Sequence, residues 1–122
     1  MKQMCGKPVV ELIIPVYKPG KELNMLYNAA KMTVMPSIYE AFGMVAIESL
    51  SAGVPVLIDR ASCFRFGDGV ALYDNTDLSA AIEVVLATHE EMKFAARRNA
   101  LAVYSWDKIA EAYLDVFTKE QK

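Results

Sequence analysis

Glu40 and Glu48 are separated by seven residues, inside a stretch that reads PSIYEAFGMVAIESLSAGVPVLI from Pro36 to Ile58. A strand ends near Pro36, a loop carries Glu40, and Gly43 opens a short helix that holds Glu48. That helix, Met44 to Ala52, is apolar or small nearly all round, the composition of a helix buried on most sides. A carboxylate in such a helix is costly unless something hydrogen-bonds it. The two adjacent hydroxyls of a nucleotide ribose are one group that does so. The alternative is that Glu48, Ser49 and Ser51 form the wet side of the helix, and composition does not separate the two. At the helix mouth, Gly43 lets another group approach the backbone closely. The first helical amides have no internal partner, and the helix dipole adds partial positive charge there. A diphosphate suits that end, with Glu40 in reach of a sugar hydroxyl. An ordinary strand-to-helix turn would read the same way.

These side chains depend on elements on either side. Gly53 ends the helix, and Val54 to Ile58 reads as the next strand. Upstream, Val9 to Tyr17 reads as a buried strand, with Pro15 at an edge or at its end. Lys18-Pro19-Gly20 is a turn. A helix follows over Lys21 to Lys31, with Leu23, Leu26, Tyr27 and Ala30 on one face, and then a short strand from Met32 to Met35. Downstream, Asp59 to Gly69 is a loop and Val70 to Tyr73 a strand. Thr76 or Asp77 caps a helix to about Ala87, whose inward face is Leu78, Ala81, Ile82, Val85 and Leu86. Thr88 and Glu91 form a capping box for the next helix, with Met92, Ala95, Ala96, Asn99, Ala100 and Val103 inward and Arg97-Arg98 on a solvated face. Ser105 caps a last helix, in which Trp106, Ile109, Ala110, Tyr113, Leu114 and Phe117 make an apolar stripe that reads as core. Alternating strands and helices predict an α/β fold: a small doubly wound, Rossmann-like parallel sheet of about four strands with helices on both faces. Ligands on such sheets bind outside the carboxyl ends of the strands, where the Glu40 loop falls.

With 122 residues the chain reads as one domain: a lead-in over 1–8, an α/β core over 9–104 and a C-terminal helix over 105–119. A net charge of −2 argues against a nucleic-acid groove or a polybasic membrane patch. Cys5 and Cys63 fit no metal spacing and read as reduced thiols of a cytoplasmic protein. His89 is the single histidine, so a histidine metal site or triad has no support. The longest apolar run, Val9 to Tyr17, is interrupted by Glu11 and Pro15 and is too short to cross a membrane. The N-terminus has no signal-peptide pattern.

The central stretch resembles the E-x7-E segment of retaining GT-B glycosyltransferases of the group 1 (family 4) class, typically P-S-x-x-E-G-F-G, then a second glutamate and A-x-G-x-P-V. The chain has Pro36-Ser37, Glu40-Ala41-Phe42-Gly43, Glu48, Ala52-Gly53 and Val54-Pro55-Val56, with Ala41 where glycine is common. Leu26-Tyr27-Asn28-Ala29-Ala30 resembles the family's L-Y-x-x-A helix, and Ser105-Trp106 with Ala110 its C-terminal segment. By that resemblance Glu40 lies near the donor sugar's hydroxyls and is the candidate catalytic residue. Phe42, Gly43 and Met44 approach the sugar and diphosphate, and Glu48 holds the ribose. The resemblance implies a nucleoside-diphosphate sugar as ligand, with no metal requirement and no cofactor. The loop at Cys63 to Gly69 departs from the family by having no glutamate.

The resemblance covers residues 22–119, the latter half of a typical GT-B donor domain. It therefore implies a partial donor site, with the acceptor domain and the upstream Arg and Lys missing and little turnover by the chain alone. Leu12 to Tyr17, followed by Lys18-Pro19-Gly20, is also similar to the opening strand of GT-A (family 2) glycosyltransferases; an ordinary sheet strand reads the same way. Two rivals stand beside the donor-site reading. One is a non-catalytic oligomerisation or interaction module derived from a glycosyltransferase; the other is an unrelated small α/β binding domain. High apolar content and low net charge predict a homo-oligomer.

Overall fold

The computed structural model describes residues 19–62, 66–74 and 77–119. The strand expected over Val9–Tyr17, the thiols of Cys5 and Cys63, and the Thr76 cap lie outside them. In chain order the described elements are α1 (Lys21–Ala29), β1 (Thr33–Met35), α2 (Met44–Ser51), β2 (Val56–Asp59), β3 (Val70–Tyr73), α3 (Leu78–Ala87), α4 (His89–Val103) and α5 (Trp106–Lys119). Among the described residues the sheet is three-stranded and parallel, in the order β1-β2-β3. Thr33 lies opposite Val56, and Val56 opposite Val70.

β2 is the central strand and is buried on both faces, so it reads as a continuous apolar run rather than an alternation. Val56 and Ile58 face Met35, Ala46, Leu50, Ala96 and Ala100, placing α2 and α4 on one side of the sheet. Leu57 faces Tyr73 and Val85, placing α3 on the other. The expected α/β architecture with helices on both faces is therefore the observed one. β2 also runs one residue beyond the expected Ile58. Asp59 is buried because its own turn satisfies it: Oδ1 accepts the Ala61 N–H at 2.8 Å, and its carbonyl accepts that of Ser62 at 2.9 Å.

α4 comes very close to the sheet at Gly69. That residue has φ +85°, and a Cβ placed there would lie 2.4 Å from Ala96 Cα. Glycine is required by both the dihedral and the space. Asn99 fastens the same loop, donating from Nδ2 to the carbonyls of Phe66 and Asp68.

Several local expectations are corrected. Leu26, Leu86 and Val103 are exposed rather than inward. α1 buries no residue completely; it turns Leu23 and Tyr27 toward α2 and leaves Met25 and Leu26 outside. Neither Asp77 nor Thr88 makes a side-chain cap bond. Thr88 ends α3 as well as beginning α4, and its hydroxyl donates backward to the Val84 carbonyl at 2.9 Å, so no capping box forms. The α5 stripe has the predicted period but is not core: Trp106 is 83 % exposed, and Tyr113, Leu114 and Phe117 are also exposed. Periodicity reports which face is apolar, not whether anything covers it.

Candidate functional site

The loop after β1 delivers the chain to Gly43, the N-cap of α2, in the left-handed region at φ 75°, ψ 41°. Its carbonyl accepts the N–H groups of Ala46 and Ile47 at 3.0 and 3.4 Å. A Cβ at Gly43 would sit 2.5 Å from the tip of the Phe66 ring. Phe66 is buried and lies edge-on to Tyr104, with centroids 6.4 Å apart. The ring thus forms the floor under the helix mouth. Its position in the loop after β2 gave no sequence signal. Above that floor, Phe42 and Met44 are exposed, and Glu40 is exposed on the loop. The mouth therefore presents the Met44 and Val45 amides, which lack intrahelical partners by position, beside the exposed Glu40 carboxylate.

One turn further in, Glu48 is half-buried. Its Oε2 accepts a hydrogen bond from the Tyr27 hydroxyl at 3.0 Å, and that hydroxyl also lies 3.4 Å from the Val45 carbonyl. Burial, and then the Glu48 carboxylate beside it, push the Tyr27 phenol up from 10.0 to about 12. Glu48 and Tyr27 line an open groove of about 480 Å³ between α1 and α2, together with Leu23, Ile47, Ser51 and Arg97. Arg97 reaches in from α4, its guanidinium donating to the Ser51 carbonyl.

Ser49 does not belong to a wet side. It is fully buried, and its hydroxyl is shared between Thr33 Oγ1 at 2.9 Å and the Val54 carbonyl at 3.0 Å. Adjacent helix positions point about 100° apart, so Glu48 can open to the groove while Ser49 anchors α2 to the sheet. The helix then ends in a Schellman motif: Gly53, at φ 75°, donates to Leu50, and Val54 donates to Ser49.

The structure places Phe42, Gly43 and Met44 in succession at the helix mouth, with Glu40 just before them, and Glu48 on the same helix within the groove. It does not bring Glu40 into the lining of that groove. The functional partner missed in the sequence is Tyr27, grouped there with an apolar face. The available signal was its phenolic tip, the polar group on the helix face that meets the lone carboxylate of α2. Among the described residues there is no cluster of three or more His, Cys, Asp or Glu able to hold a metal ion. Nor is any helix there long and apolar enough to cross a membrane.

The family model described as "Glycosyl transferases group 1" matches residues 7–102. An uncharacterized glycosyltransferase of Methanocaldococcus jannaschii is 32% identical, over 80% of this chain and 28% of its own length. A D-inositol 3-phosphate glycosyltransferase of Geodermatophilus obscurus is 36% identical, over 75% of this chain and 22% of its own. An MMP alpha-(1->4)-mannosyltransferase of Mycolicibacterium hassiacum is 28% identical, over 81% and 27%. The chain thus spans about a quarter of the length of these relatives.

Proposed function

This chain belongs to the group 1 glycosyl transferases, and from that premise we propose that its β1–α2 unit is part of the donor site for a nucleoside-diphosphate sugar, in a retaining glycosyl transfer. The observation that carries this reading is Glu48. It is a half-buried carboxylate in an otherwise apolar helix, and it opens into a groove and follows Glu40 at the family's spacing. In this reading Glu48 accepts hydrogen bonds from the ribose hydroxyls. The Met44 and Val45 amides at the Gly43 end of α2, with the helix dipole behind them, meet the diphosphate. Phe42 and Met44 flank the sugar, and Glu40 positions its hydroxyls as the candidate catalytic residue. The chemistry assigned to this unit is binding and orientation: it presents the anomeric carbon in a fixed pose and stabilises the departing diphosphate with prearranged dipoles.

The test is calorimetric titration of the chain with UDP, GDP and ADP, and with their sugar conjugates. At least one should bind, and Glu48→Gln should weaken it by about 1–3 kcal/mol, the usual worth of a charged hydrogen bond, with the melting temperature nearly unchanged. No binding of any of them at millimolar concentration would remove the reading.

A specific observation favours the second reading, an interaction module that self-associates: the α5 stripe of Trp106, Tyr113, Leu114 and Phe117 is exposed. Such a face promotes association, and two-fold pairing is the commonest form. The nucleotide titration separates the two readings, and sedimentation across a dilution series tests the association: a 13.5 kDa monomer at every concentration rules out self-association.

A further inference from the structure

Among the described residues, Tyr27 is the hydrogen-bond donor to the Glu48 carboxylate. It reaches across from α1, twenty-one positions earlier in the chain. A carboxylate on a helix has several rotamers, and a long side chain in an open groove loses entropy when a ligand fixes it. An ionised carboxylate offers about four lone-pair sites on two oxygens. A donor on Oε2 occupies one of them and leaves Oε1 and a second lone pair of Oε2 to other donors. Two neighbouring hydroxyls, the pattern of a ribose, match that remaining pair.

We propose that Tyr27 is a positioning residue for ligand binding: its hydroxyl fixes the Glu48 carboxylate in the orientation that receives the two ribose hydroxyls of a nucleoside diphosphate. This rests on the reading of Glu48 as a ribose ligand. Packing alone does not call for the hydroxyl. The Tyr27 ring is only half-buried, and its second contact, with the Val45 carbonyl, is long at 3.4 Å.

The experiment compares nucleoside diphosphates with their 2′,3′-dideoxy counterparts on the wild-type chain and on Tyr27→Phe, by calorimetry. Wild type should prefer the ribose form. Tyr27→Phe should weaken the ribose form about three- to tenfold, the range for one lost hydrogen bond, and shift the dideoxy form by less than about 1.5-fold. In a Glu48→Gln background, Tyr27→Phe should add little. An equal loss for both forms marks a merely structural role for Tyr27 and overturns the inference, as does an unchanged ribose preference. If wild type binds without any ribose preference, the ribose reading of Glu48 fails and this inference fails with it. Should Tyr27→Phe not fold, 4-aminophenylalanine and 4-fluorophenylalanine at position 27 replace it. The first keeps a donor and should retain the preference; the second has none and should lose it. Identical behaviour of the pair overturns the inference.

Discussion

Gly69→Ala should be among the most damaging single-methyl additions in this protein, and its cost can be separated into two parts. The left-handed φ of +85° strains any residue with a Cβ by about 1–2 kcal/mol. Stiffening the unfolded chain returns about 0.4–1 kcal/mol. The dihedral alone therefore leaves a net loss of about 1 kcal/mol. Sterics add the larger part. The new methyl would meet Ala96 at Cα, Cβ and N, at 2.4, 2.6 and 2.7 Å, and backbone atoms cannot rotate away. α4 must retreat, yet it presses the buried Ala96 and Ala100 against β2 and α2. A gap of about 1 Å forfeits roughly a quarter to a half of the dispersion across the separated faces, and overpacking of this kind costs about 1–3 kcal/mol. The expected total is about 2–4 kcal/mol, a large fraction of the roughly 5–15 kcal/mol that holds a domain together. Gly53→Ala is the matched control, because it has φ +75° and the added Cβ would meet nothing closer than 3.6 Å. Urea denaturation of both variants, followed by far-UV circular dichroism, gives the comparison. If Gly69→Ala costs no more than Gly53→Ala, the close approach of α4 is not what requires glycine there.

Ser49→Ala removes the hydroxyl shared by Thr33 and Val54 inside the core and should cost about 1–3 kcal/mol; a neutral result in the same denaturation assay would show that those groups find other partners. The stability of wild type should fall between pH 10.0 and about 12. The folded state holds the Tyr27 proton more tightly than the unfolded chain, so this contribution is complete below the lower value and lost through the upper one. Tyr27→Phe should show a shallower decline over that window, and parallel curves would contradict the assignment.

The elements around the candidate site were legible because they combine signals of different kinds. Gly43 and Gly53 bracket an apolar run, and both adopt the left-handed conformation that glycine takes most readily. β2 was legible as an unbroken run of large aliphatic residues. Ser49 was not, because a serine in a helix reads as polar until its partners are known, and Thr33 and Val54 belong to other elements. Thr88 failed for a related reason. It serves two helices, and the hydroxyl chose the one that composition had not paired it with. The Tyr27–Glu48 bond crosses two elements, so neither local propensity nor periodicity reports it. The α5 stripe shows the opposite limit: its pattern is clean, yet a pattern carries no information about cover.

The contacts that hold α2 differ in how far apart they lie along the chain. Those that orient it are near in sequence: Tyr27 with Glu48, Thr33 with Ser49, and β1 with β2. Its back wall comes much later, when α4 sets Ala96 and Ala100 against Ala46 and Leu50. Loop closure is less costly for short separations, so the carboxylate-bearing unit should organise early in folding and the α4 contact after it. Interactions formed early govern the folding rate, and those formed late govern the unfolding rate. The lifetime of the assembled groove is then set less by the α1 and α2 residues that line it than by how firmly α4 stays seated over Gly69.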